Sequence, residues 1–227
     1  MNGKKISFIF VVIGFLMSLV AFQGNKWDRY YQSKLNQPPR PLIVEALTYF
    51  QTPGVAIDLG CGVGNETLLM LDKGWHVWAI DSQSNAIQFL NERKNLLYPK
   101  NLVTVVAKFD EGLNWEDLPQ VNLFCASYAL PFAKPDAFDQ VWQNIMEKIL
   151  LEGRFAGHFF GKNYVGFDDQ EMKHMTFLTK EQVLRLFKDF DIEYFQEIEE
   201  DDVSGTGKKI HSHVFEIIAR KRFNASH

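Results

Sequence analysis

Three aspartates and one cluster of glycines are the residues in this chain best placed to do chemistry. The first aspartate opens the run Asp58-Leu59-Gly60-Cys61-Gly62-Val63-Gly64-Asn65-Glu66. Glycines at such a turn let backbone approach a ligand closely, and a helix that begins at once offers unpaired N–H groups. A dinucleotide site wants G-x-G-x-x-G; here Asn65 stands where the third glycine belongs and Gly64 comes one position early. Asp58 and Glu66 flank the loop with negative charge, which repels a pyrophosphate and suits a ligand carrying positive charge. S-adenosylmethionine, with a sulfonium and an ammonium, meets that description.

The second aspartate, Asp81, follows Gly60 by 21 residues, close to the roughly 20 expected for a carboxylate that accepts both ribose hydroxyls. The third, Asp110, follows Phe109, an acceptor and an aromatic face where an adenine would lie. Three acids after three successive apolar runs are a more specific signal than the glycines.

These groups need a scaffold that repeats strand, turn and helix. Apolar runs at Val55–Leu59, 76–80, 102–109, Val121–Ala126 and 153–160 alternate with helical spacing at 66–73, Ser84–Lys94 and 136–151, the pattern of βαβ units around a parallel sheet. A further helix is expected over 42–50, and Thr179 with Gln182 forms a capping box for one through Phe187. Runs 192–198 and 212–221 close the chain as a hairpin. The expectation is a Rossmann-like, doubly wound, seven-stranded α/β sheet, mostly parallel with an antiparallel last strand and helices on both faces.

Of 227 residues, 46% are hydrophobic and 23% charged, which excludes a disordered or collagen-like chain. Twenty phenylalanines imply an aromatic core or pocket. The net charge is −4, and the sizeable basic clusters are only Lys208-Lys209 and Arg220-Lys221-Arg222, so nucleic acid is excluded as the expected partner. Cys61 and Cys125 lie far apart, a pattern of a reducing compartment rather than of a disulfide scaffold. The uncharged stretch 6–22, from Ile6 to Phe22, follows Lys4-Lys5 and reads as a membrane anchor or a signal-like segment, with translation from Met17 as the plainer alternative. Residues 1–24 thus form an apolar N-terminal segment, and 25–227 a single domain.

The sequence resembles the class I S-adenosylmethionine-dependent methyltransferases from Asn25 to Arg222, and within them the tellurite-resistance (TehB-like) small-molecule branch. The narrower likeness rests on Lys26-Trp27-Asp28-Arg29-Tyr30-Tyr31, Ala126-Ser127-Tyr128-Ala129-Leu130-Pro131-Phe132, Phe160-Gly161, Met175-Thr176-Phe177-Leu178-Thr179, and His211-Ser212-His213 with Ile218-Ala219-Arg220-Lys221. The C-terminal segment departs from the tellurite enzyme. The resemblance implies that Gly60, Cys61 and Gly62 line the methionine moiety with Asp58 near its ammonium. Asp81 and Ser82 would hold the ribose, Phe109 and Asp110 the adenine, and Ala126 and Ser127 would face the reacting methyl. It implies a lid from Trp27 with Tyr30 or Tyr31, which a packing helix matches equally well. Tyr128, His158 and His213 are the remaining candidates for contact with the methyl acceptor, although His158 in an apolar strand also reads as a core histidine and His213 as structural.

The expected function is in-line methyl transfer to a small-molecule acceptor with no protein base required, in a cytoplasmic domain held at the membrane by the 6–22 stretch. The alternative is a non-catalytic cofactor-binding scaffold or sensor at a membrane. A nicotinamide oxidoreductase is disfavoured by Asn65 and the acidic loop.

Overall fold

The computed structural model describes residues 26–94, 100–203 and 207–222. The 1–24 segment, and with it the 6–22 stretch, lies outside the described residues. Among the described residues no helix is long and apolar enough to cross a membrane.

Strands form where β-branched and apolar residues run together: β1 (Val55–Leu59), β2 (His76–Asp81), β3 (Leu102–Val106), β4 (Val121–Ala126), β5 (Ile149–Gly161), β6 (Phe177–Leu178), β7 (Phe190–Val203) and β8 (Lys209–Lys221). Helices α1 (Lys26–Lys34), α2 (Pro41–Thr48), α3 (Asn65–Asp72), α4 (Ser84–Lys94), α5 (Phe138–Lys148), α6 (Asp169–Met172) and α7 (Lys180–Leu186) connect or precede them. The sheet order is β3-β2-β1-β4-β5-β8-β7, with the two-residue β6 paired to β5. Strands β1 to β5 pair in parallel, and β8 runs antiparallel to both β5 and β7. The seven long strands and the antiparallel last strand match the sequence expectation. β8 is inserted between β5 and β7 rather than lying at the edge.

Helices cover both faces, as continuous apolar strands of a parallel sheet require. On one face α2, α3 and α4 bury Leu42, Ile43, Met70, Leu71, Ile87 and Leu90 against the sheet. On the other, α5 presents Phe138, Val141, Trp142 and Ile145 to Phe124, Phe155, Phe159 and Phe187, an aromatic core that accounts for many of the phenylalanines. The Thr179–Gln182 capping box starts α7 as expected.

The helix over 136–151 and the strand over 102–109 each end earlier than in the sequence reading. The helix expected over 136–151 stops at Lys148, because Ile149 turns extended and pairs with Val121. Lys221 Nζ caps its end by donating to the Met146 and Ile149 carbonyls at 2.6 and 2.8 Å. Strand β3 ends at Val106, since the Lys108 carbonyl gathers the N–H groups of Glu111, Gly112 and Leu113 into a turn. The Trp27–Tyr31 segment is helical.

Candidate functional site

Strand β1 lies where the chain order reverses, between β2 and β4, the place at which open α/β sheets bind ligands beyond their strand ends. The glycine loop leaves β1 there and folds back on β2. Gly60 and Cys61 donate their N–H groups to the Ile80 carbonyl at 2.8 and 3.0 Å. Gly60 has φ +71, and a Cβ on it would stand 2.6 Å from the Ala129 Cβ, so the segment after β4 closes onto the loop where a side chain is missing. Gly62, at φ +52, donates its N–H to Asp81 Oδ2 at 2.9 Å. Loop and acid, distant in sequence, are one unit.

Asp58 lies beneath this loop, 1% exposed, and accepts a hydrogen bond from Thr67 Oγ1 of α3. Burial, helped by the Glu66 carboxylate, pushes its carboxyl up to about 7. Asp58 thus braces the end of β1 against α3. Cys61 and Cys125 are buried free thiols whose pKa burial raises further, packing groups rather than nucleophiles.

Helix α1 covers the loop. The Tyr31 hydroxyl donates to Asp81 Oδ1 at 3.1 Å, and the Gln83 N–H reaches the same oxygen at 2.9 Å. Trp27, Tyr30 and Tyr31 pack with one another, with ring centroids 5.8 to 6.1 Å apart, and Trp27 also meets Phe132 at 5.2 Å. Side chains at the start of α3 bind the chain that precedes the loop: Glu66 Oε1 accepts the Arg40 N–H at 3.0 Å, and Asn65 Nδ2 donates to the Lys34 carbonyl at 2.9 Å. Ser82 is exposed, its Oγ accepting from its neighbour Gln83.

Phe109 and Asp110 do not end a strand, in contrast to the sequence reading, because β3 has stopped three residues earlier. Phe109 leans on the phenylalanine core, and Asp110 Oδ2 accepts the Lys134 N–H at 3.0 Å, tying the turn after β3 to the segment after β4. Asp110 Oδ1 is buried without a hydrogen-bond partner, with Lys108 Nζ 3.6 Å away.

The far end of the site lies beyond β4 and β5. Ala126 is buried at the end of β4, and the Ser127 hydroxyl next to it is buried without a partner. Tyr128 then adopts φ +57, a left-handed conformation that costs a bulky residue energy. Its ring stacks on His158 with centroids 4.0 Å apart, and the Arg40 guanidinium lies 4.6 Å from the same ring. His158, 1% exposed, pairs across β5 and β8 with Glu216, 3.2 Å from Nε2. A carboxylate only accepts, so Nε2 carries the proton and Nδ1 is left as a buried lone pair without a partner. Burial lowers the His158 pKa against the pull of Glu216.

His213 stands elsewhere. Its ring lies over Gly161, where a Cβ would come within 2.3 Å. Its Nδ1 accepts the Asn163 N–H and its Nε2 pairs with Glu197, both at 3.2 Å. With both nitrogens engaged, His213 packs the β5–β8 pair.

Two residues escaped the sequence reading. Arg40 sits in Pro38-Pro39-Arg40-Pro41, a cation at a helix start whose place beside the loop no local spacing encodes. Glu216, a charge amid Phe215 and Ile217 in an apolar strand, is the other.

Sheet order, glycine loop and the acid at the end of β2 together define a Rossmann-like methyltransferase fold. The profile of the tellurite resistance protein TehB family matches residues 23–156, more than half of the chain, and the chain belongs to that family. No curated protein sequence matches it. Among solved structures it is similar to TehB from Haemophilus influenzae, at TM-score 0.70 and 19% identity over 86% of this chain and 67% of that one. The 1,6-didemethyltoxoflavin-N1-methyltransferase of Burkholderia thailandensis, solved with 1,6-didemethyltoxoflavin and S-adenosylhomocysteine, aligns at TM-score 0.59 and 20% identity over 81% and 78% of the two chains. The N-methyltransferase NodS of Bradyrhizobium japonicum, solved with S-adenosylhomocysteine, aligns at 0.55 and 11% over 89% and 91%.

Proposed function

We propose that this protein is an S-adenosylmethionine-dependent methyltransferase acting on a small molecule. The observation that carries the reading is the pairing of Gly62 N–H with Asp81 Oδ2 at the switch point of the sheet. It sets a bare backbone turn beside a carboxylate suited to a diol. The residues present fit the cofactor. Gly60 and Gly62 put no side chain between the turn and a methionine chain, Glu66 supplies negative potential toward an ammonium with Asp58 beneath the loop, and Asp81 accepts ribose hydroxyls. Ser82 flanks the ribose, Phe109 and Asp110 serve the adenine, and Cys61 and Ala126 complete the walls.

When bound, the cofactor would supply a methyl made electrophilic by its sulfonium, so the protein contributes proximity, orientation and exclusion of water. On the acceptor side, Ser127 Oγ and His158 Nδ1 are buried polar atoms with no partner. They follow one another in register, Ala126 pairing with Gly157. Their chemistry, a hydroxyl and an imidazole lone pair, suits an acceptor that presents a hydrogen-bond donor. Tyr128 and Trp27, with Tyr30, supply aromatic walls. The reading assigns the domain to the cytoplasm, where this cofactor is made.

The test is a transfer screen with methyl-labelled cofactor over thiols, oxyanions and small amines, with products identified by mass. A labelled product from one class is expected. Tight cofactor binding with no transfer to any class would favour the non-catalytic scaffold instead.

A further inference from the structure

The site just described is shut by the chain's own hydroxyl. A carboxylate offers about four lone-pair positions, and a ribose diol needs two of them. Donors from within the protein already hold Asp81: Gly62 N–H on Oδ2, and Gln83 N–H and the Tyr31 hydroxyl on Oδ1, at 2.9, 2.9 and 3.1 Å, with the Ser82 N–H beside them. The backbone donors are fixed by the turns that carry them. Tyr31 is the one side chain among them, and it alone can leave.

Access points the same way. Asp81 is 6% exposed and Tyr31 4%, so nothing the size of a nucleoside reaches the carboxylate while α1 stays in place. The Tyr31 ring lies against the glycine loop, 3.5 Å from where a Gly62 Cβ would be. The ring belongs to a small cluster of its own, with Val63 and Ala86 buried beside it and Trp27, Tyr30, Leu35 and Phe89 packed on it. The Asn65 to Lys34 and Arg40 to Glu66 hydrogen bonds tether the end of α1 and the segment after it to α3.

We infer that Tyr31 is an intramolecular stand-in for one ribose hydroxyl, and that cofactor binds by displacing its phenol from Asp81. This rests on the proposed cofactor reading. Exchanging one O–H donor for another on the same oxygen is close to neutral as a hydrogen bond. The protein therefore binds with an affinity reduced by the fraction of molecules in which α1 has lifted. Trp27 and Tyr30 move with it, since their rings pack on Tyr31.

The test is calorimetric titration of the wild type and Tyr31→Phe with S-adenosylhomocysteine and with adenosine. The phenyl ring keeps the packing and removes only the competing donor, so both ligands should bind roughly tenfold tighter to the variant. Equal or weaker binding by Tyr31→Phe would overturn the inference and leave the cofactor reading standing. Absence of binding to either protein would overturn both. If the variant does not fold, stopped-flow association of S-adenosylhomocysteine with the wild type decides. An observed rate that levels off with ligand concentration supports an opening step, and a rate that stays linear contradicts it.

Discussion

Burial and the neighbouring Glu66 carboxylate push Asp58 from 3.8 up to about 7, and this has a consequence for stability. An acid whose folded pKa is raised contributes stability that is fully present below its unfolded value and is lost as pH rises through the folded one. Unfolding free energy should therefore fall between pH about 4 and about 7, and Asp58→Asn, which keeps an acceptor for Thr67, should flatten that decline. Urea denaturation at both pH values measures it; parallel losses in the two proteins would contradict the assignment. His158 acts in the opposite sense, because burial lowers its pKa from 6.5. Its contribution is present above that value and lost as pH falls. At this scale the sequence was informative about single residues and silent about partners. Asp81 was legible from its distance to Gly60, whereas the His158–Glu216 pair required the antiparallel register of β5 and β8, which no local spacing encodes. Asp110 was placed at a strand end because the apolar run through Phe109 continues past the point where Lys108 gathers the backbone into a turn.

Among the elements, local signals fared best where one competing force was absent. β1, β4 and α4 begin and end where composition put them, since glycines, prolines or charges bound each of them. The helix over 136–151 was read too long because Ile149, Leu150 and Leu151 fit either an apolar helix face or a strand. The sheet decided through the Val121–Ile149 pairing. The two-residue β6 is too short to carry any period. Helix α5 is the main packing element of its face, and Trp142 packs its ring against Phe155, Phe159 and Phe187 at 5.0 to 5.9 Å. Trp142→Ala should lower stability by about 3–5 kcal/mol through the cavity it leaves, as read by chemical denaturation. A loss under about 1 kcal/mol would mean that α5 is not anchored through this ring.

For the molecule as a whole, alternation of apolar runs and helical spacing was enough to predict a doubly wound sheet. The sheet in turn dictates that the ends of β1, β2, β4 and β5 converge on one edge. The covering of that edge by α1 was not legible: a lid and a packing helix were equally compatible with Trp27, Tyr30 and Tyr31. The long-range bond from Tyr31 to Asp81 shows the helix packed over the acid at the end of β2. The central claim is that Asp81, bound to Gly62 across the loop, is the ribose anchor of an S-adenosyl cofactor. Calorimetric titration with S-adenosylhomocysteine and with NAD tests it most directly, on the wild type and on Asp81→Asn. S-adenosylhomocysteine should bind the wild type and NAD should not, and Asp81→Asn should weaken binding by at least about tenfold. Full affinity in Asp81→Asn, or a preference for NAD, would contradict the account.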